Sequence, residues 1–204
     1  MIGIMQGRLT PMVAGKIQSF PKKFWKAEFF IAQALGFSSV EWTLDRDGIM
    51  ENPFFTAPKE ITQLVAMTDI AVPSLTYDAA MQKPLVVKGA VVNDEVELLI
   101  KVLAQAQKLG LQLLVLPLVD QSSVDDYDYP LYVDLLKKIS KICLGNGLKI
   151  AVESDFPPMK LEVFMRDIGS SFVGVNYDIG NSASLGFDFL EEMAAIGPDI
   201  LNIH

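Results

Sequence analysis

Short, continuous apolar runs recur along this chain, and most are followed by a stretch with helical patterning. The runs fall at residues 2–5, 39–42, 71–75, 112–118, 148–153, 173–178 and 200–204. Most are apolar throughout and do not alternate with polar residues. A strand of that kind is buried on both faces, the condition of parallel strands covered by helices. Residues 94–109 carry the clearest helical pattern. There Val96, Leu99, Val102, Leu103 and Ala106 form one stripe, Asn93 is the N-cap and Gly110 the terminator. Residues 24–35 stop at Gly36, and residues 131–144 stop near Gly145 and Gly147. Shorter helices fit residues 59–67, 161–168 and 187–196, the last stopped by Gly197-Pro198.

Alternating strands and helices predict a parallel sheet, either open and doubly wound or closed as a barrel. The first turn separates these two. Gln6-Gly7-Arg8-Leu9-Thr10-Pro11 lacks the Gly-x-Gly-x-x-Gly spacing of a dinucleotide-binding turn. The expectation is an α/β fold, a (β/α)8 TIM barrel in a single domain over residues 1–204, with about seven of eight strands present. A complete barrel takes about 250 residues. The reading is therefore of a C-terminally truncated chain, short by one βα unit and a final helix. Half of the residues are hydrophobic, enough for one sizeable core.

Charge and cysteine content narrow the partners. A net charge of −8 opposes nonspecific binding to nucleic acid and a polybasic membrane anchor. No apolar run reaches the ~20 residues that span a bilayer. The apolar N-terminus, Met1-Ile2-Gly3-Ile4-Met5, has neither the basic region nor the cleavage site of a signal peptide and reads as the first strand. Cys143, the lone cysteine, lies in an apolar helical stretch and reads as a buried thiol, compatible with a reducing cytoplasm.

In a barrel the chemistry sits at the carboxyl ends of the strands. That rule selects Gln6 and Arg8, Glu41 and Asp45, Tyr77 and Asp78, Glu153 and Asp155, Asp178 and Asn181, and His204. Among them Gln6, Arg8, Glu41, Asp78 and Asn181 are the candidate substrate-binding groups. Glu153, Asp178 and His204, the sole histidine, form a further set. Their spacings of 25 and 26 residues each match one strand plus one helix. Two carboxylates and an imidazole at equivalent ends of three adjacent strands make a donor set for a divalent metal ion. Taken singly, each has a plainer reading: a helix cap, a salt-bridge partner, a satisfied core histidine. The coincidence of three carries the metal reading. Arg8 suits a phosphate or carboxylate, or else pairs with Glu41 or Asp45. Gly180-Asn181-Ser182-Ala183-Ser184 either offers backbone N–H groups to an anion or turns into a Ser-capped helix. Trp25, Phe29 and Phe30 read as core, and Trp42 as packing in preference to a sugar contact.

At these residues the sequence resembles the xylose isomerase-like TIM barrels, in particular the sugar phosphate isomerase/epimerase group related to hexulose-phosphate epimerases. The resemblance runs from Met1 to His204. It is carried by Gly3-Ile4-Met5-Gln6-Gly7-Arg8-Leu9, Ala34-Leu35-Gly36-Phe37 with Val40-Glu41-Trp42, and Val152-Glu153-Ser154-Asp155. Asn176-Tyr177-Asp178-Ile179-Gly180-Asn181-Ser182-Ala183 and Leu201-Asn202-Ile203-His204 complete it. It implies one divalent ion (Mn, Mg, Zn or Co, not distinguished) held by Glu153, Asp178 and His204. The family's fourth ligand, a Glu on strand eight, and a Lys-Asp pair after the His have no counterpart here. The implied activity is isomerisation or epimerisation of a sugar or sugar phosphate by proton transfer through an enediolate, with Glu153 as catalytic acid/base. With the second Glu of the pair absent, little or no turnover is expected. The alternatives are a non-catalytic truncated barrel or small-molecule-binding remnant, and an endonuclease on the same barrel. One histidine and the charge of −8 weigh against the endonuclease. Open edges at strands one and seven would also invite pairing into a homo-oligomer.

Overall fold

Seven parallel strands pair side by side in sequence order. They are β1 (Gly3–Met5), β2 (Ser39–Thr43), β3 (Ser74–Thr76), β4 (Leu113–Leu118), β5 (Lys149–Ser154), β6 (Val173–Tyr177) and β7 (Ile200–Ile203). The computed structural model describes residues 2–12, 15, 19–145 and 147–204; Met1, at the head of the expected first strand, lies outside the described residues. Helices return the chain between strands: α1 (Trp25–Ala34), α2 (Pro58–Thr68), α3 (Asn93–Lys108), α4 (Tyr129–Cys143), α5 (Pro158–Ile168), and α6 (Ile179–Leu185) followed by α7 (Phe189–Ile196). This is the βα alternation of a TIM barrel with seven of its eight strands, β1 and β7 being the sheet's outer strands among the described residues. One continuous apolar core runs from Phe20 to Ile196.

Local chemistry explains where the elements depart from the apolar pattern. The third run contributes only Ser74–Thr76, and Ala71 meets Ser39 in an isolated bridge. Pro73 interrupts the run because it has no N–H, and its carbonyl instead accepts from Gln112 N at 2.7 Å. A small hairpin, Val86–Val87 with Ala90–Val91, precedes α3. Its turn places Lys88 at φ 50° and Gly89 at φ 78°, the double left-handed turn that a two-residue hairpin requires. Lys-Gly is not the usual Asn-Gly signal, so the pattern of residues does not announce it. The hairpin delivers the chain into α3 one residue early: Asn93 is inside the helix and Val92 holds the N-cap position. Residues 180–184 are helical, capped by Asp178 and not by a serine: Asn181 N donates to Asp178 Oδ1 at 2.7 Å.

Trp25 and Phe29 are buried, whereas Phe30 is 45 % exposed. Trp42 is core: it is fully buried, its Nε1 donates to Asn52 Oδ1 at 3.1 Å, and the rings of Phe20, Trp25 and Phe54 surround it. Cys143 is buried, and burial pushes its thiol up to about 11, which leaves it an inert packing group.

One buried carboxylate ties α3 to the loop after β2. Glu95 is 2 % exposed and accepts from Arg46 Nε at 2.7 Å and Arg46 Nη2 at 3.0 Å, with Lys83 Nζ 3.2 Å away. The hydrogen bond from Arg46 outweighs the cost of burial and holds the Glu95 carboxyl below its ordinary value of 4.5. A depressed carboxylate stabilises the fold above its unfolded pKa and loses that contribution as pH falls through the folded value. Glu95→Gln should therefore cost about 1–3 kcal/mol at pH 7, the difference in urea melts shrinking as pH falls below the ordinary carboxylate range and through the depressed folded value. Equal stability at pH 7 would contradict this role.

Candidate metal centre

Parallel pairing places the ends of β5, β6 and β7 beside one another. Glu153 lies near the end of β5, opposite Pro117 of β4. Asp178 follows β6 directly and caps α6. The backbone of His204 brackets Asp178: its N–H donates to Tyr177 O at 2.9 Å, and its carbonyl accepts from Ile179 N at 3.0 Å. The side chains of Glu153, Asp178 and His204 each bring one donor atom into a group lying within 4.8 Å of one another.

A bulge in β7 determines which way His204 points. Val175 pairs with Ile200 but Asn176 pairs with Asn202, so Leu201 is an extra residue. A shift of one residue exchanges the faces of a strand. Downstream of the bulge, Asn202 faces Asn176, to which its amide donates at 2.9 Å. His204, two residues further on, falls on the same side. Gly174 makes room for this crossing. A Cβ there would lie 2.4 Å from Asp199 O and 2.6 Å from Leu201 Cγ.

Polar groups fix each donor. Glu153 Oε2 accepts from Asn176 Nδ2 at 2.8 Å and Oε1 from Asn181 Nδ2 at 2.7 Å. Asn176 Nδ2 also lies 3.1 Å from His204 Nδ1. His204 Nε2 meets Glu41 Oε1 at 2.9 Å, and Nδ1 is 3.8 Å from Glu153 Oε2. Burial opposes a charge on His204. The contacts with Glu153 and Glu41 overcome it and raise the ring's pKa from 6.5 to about 10. Burial likewise opposes ionisation of Glu41, but His204, Thr76 and Ser74 together hold its carboxyl below the ordinary value.

The donor chemistry fits a divalent cation. Glu153 and Asp178 each offer a carboxylate oxygen and His204 a ring nitrogen, a mixed oxygen and imidazole donor set. Donors on one ion lie roughly 3–4 Å apart when each bond is about 2.0–2.2 Å, so small side-chain rotations close the set.

A cleft of about 730 Å3 opens over the three residues. Of the candidate substrate-binding groups, Arg8, Asp78 and Asn181 line it. Gln6 and Glu41 are buried and do not line it; Gln6 Oε1 accepts from Thr43 N at 3.3 Å, while its Nε2 has no hydrogen-bond partner among the described residues. Asp45 accepts from Phe20 N at 2.8 Å and Gln82 Nε2 at 3.0 Å. Tyr77 is fully buried, and burial raises its phenol well above the usual range. Asp155 is not among the residues of this cleft. Inspection of strand ends alone overlooks Ser74, Thr76, Asn176 and Asn202. Their signal is a polar residue two places before another polar residue inside an apolar strand, which the period of two puts on one face. Asp120, at φ 53° on the cleft wall, carries no such signal.

The chain matches the family described as Xylose isomerase-like TIM barrel over residues 29–204, and it belongs to that family. No curated protein gives a significant sequence match. Among solved structures it is similar to a D-psicose 3-epimerase crystallised in the presence of D-fructose, with a TM-score of 0.78 and 16 % identity over 100 % of this chain and 72 % of that one. It is similar to the IolI protein with a bound zinc atom, at 0.73 and 18 %, again over 100 % and 72 %. A 3-keto-D-glucoside 4-epimerase from E. coli matches at 0.71 and 13 %, over 100 % of this chain and 77 % of its own. At such identities the likeness establishes the fold.

Gly174→Ala should displace the bulge, because backbone at 2.4 Å cannot yield as a side-chain tip can. The expected cost is about 1–3 kcal/mol, together with a changed ring spectrum for His204, read by thermal melting and histidine NMR. Unchanged melting and an unchanged spectrum would contradict the account of the bulge.

Proposed function

We propose that this barrel acts on a small ketose or ketose phosphate, as an isomerase or epimerase that moves a proton next to a carbonyl. The observation that carries the reading is the convergence of Glu153, Asp178 and His204 beneath one cleft. Epimerases among the structural neighbours support it, and so does the zinc in the IolI protein. Glu153, Asp178 and His204 would hold one divalent ion. When bound, that ion supplies electrostatic stabilisation of the negative charge developing on the substrate oxygens of the enediolate.

The chain's own groups do the rest. Glu153 is the acid/base that takes the proton from the carbon beside the carbonyl and returns it. Asn176 and Asn181, one on each oxygen, hold the Glu153 carboxylate in place. Arg8 offers a charged fork to hydroxyl or phosphate oxygens, and Asp78 and Asn181 meet hydroxyls. Asp78, Asp120, Glu153 and Asp178 face the same cleft as Arg8, a balance that suits a polyol better than a phosphate backbone. That balance, with the net charge of −8, disfavours the endonuclease reading.

Little net turnover is expected with one acid/base, but removal and return of a proton by Glu153 alone is testable without knowing the product. With Mn2+ present in D2O, a panel of ketoses and their phosphates should contain a compound that gains solvent deuterium at the carbon next to the carbonyl. Glu153→Gln should lower that exchange by about 10²–10⁴-fold. Absence of metal-dependent exchange across the panel would overturn the proposal.

A further inference from the structure

The ring of His204 has two nitrogens, and only one can serve an ion shared with Glu153 and Asp178. Nδ1 is the nitrogen on the Glu153 side, 3.8 Å from Oε2. Nε2 points the other way, to Glu41 Oε1 at 2.9 Å. Glu41 is itself immobilised. Ser74 Oγ donates to its Oε2 at 2.7 Å and Thr76 Oγ1 to its Oε1 at 2.5 Å. Its backbone sits in β2, and the residue is 9 % exposed. Both carboxylate oxygens are thus engaged inside the protein.

Asn176 gives an independent indication of the ring's state. Its Oδ1 accepts from Asn202 and its Nδ2 donates to Glu153, which fixes the amide's orientation. That Nδ2 also faces His204 Nδ1 at 3.1 Å. An amide nitrogen only donates, so the contact is a hydrogen bond when Nδ1 carries a lone pair. In the neutral ring, the form that ligates a metal ion, Nε2–H stays on Glu41 and the Nδ1 lone pair accepts from Asn176 Nδ2.

We infer that Glu41 is a positioning residue: by accepting Nε2–H it holds His204 in the tautomer and rotation that turn the Nδ1 lone pair toward Glu153 and Asp178. A carboxylate behind a ligating imidazole fixes ring orientation and makes the ring a better ligand. The inference rests on the metal reading of Glu153, Asp178 and His204 and goes beyond it. It assigns Glu41, expected from its strand-end position to meet substrate, to the histidine instead.

The chain's single histidine makes the test direct. Protein labelled with ¹⁵N-histidine would show one pair of ring nitrogens in long-range ¹H–¹⁵N spectra, recorded while Zn2+ is added and its affinity measured by calorimetry. Wild type should show a protonated Nε2 and a zinc-bound Nδ1. Glu41→Ala should weaken zinc binding by about 10–100-fold and lose the single-tautomer spectrum. Glu41→Gln, which keeps an acceptor oxygen, should restore most of the affinity. If Glu41→Ala fails to fold, Thr76→Val replaces it, leaving the carboxylate but removing one of its anchors, with a smaller loss expected. Unchanged zinc affinity and an unchanged ring spectrum in these variants would overturn the inference and leave the metal reading standing. Failure of wild type to bind zinc or Mn2+ at all would overturn both.

Discussion

A parallel sheet buried on both faces leaves little of its strands free for chemistry except their ends. Here the strands pair in sequence order, and the carboxyl ends of β5, β6 and β7 fall side by side. The closeness of the three candidate ligands begins with that register. The pairing brings Glu153, Asp178 and His204 within 4.8 Å even though they are 25 and 26 residues apart in the chain. The site needs no long loop to reach across, and its donors stand on strands or on the first residue beyond them.

Register alone does not aim a side chain. The bulge at Leu201 carries His204 round to the face of Asn176, and the missing side chain of Gly174 is what permits the crossing. Glu41 then fixes the ring from behind, itself held by Ser74 and Thr76. Backbone geometry brings the imidazole to the site and a hydrogen-bonded chain sets its orientation. Such a division of labour is expected where a ligand must be held to within a fraction of an ångström.

The barrel class, and the meeting of Glu153, Asp178 and His204 at neighbouring strand ends, were legible in the sequence because each rests on a strong local signal. Apolar runs mark the buried strands, and spacing marks their ends. The bulge was not legible, since Ile200-Leu201-Asn202-Ile203 gives no local sign that one residue is extra. The Lys88-Gly89 hairpin hid behind an unusual turn pair, and Pro73 shortened a strand that hydrophobicity alone would extend. Asn176 and Asn202 were readable in principle from the period of two. Their roles emerge only once β6 and β7 are side by side, because each asparagine is defined by what it touches on the other strand.

The central claim is that Glu153, Asp178 and His204 bind one divalent ion. Its most direct test is anomalous X-ray diffraction from crystals grown with zinc. The account predicts one strong peak bonded at about 2.0–2.2 Å to an oxygen of Glu153, an oxygen of Asp178 and Nδ1 of His204. A peak elsewhere, a peak on Nε2, or no peak among these three residues at saturating zinc would contradict it.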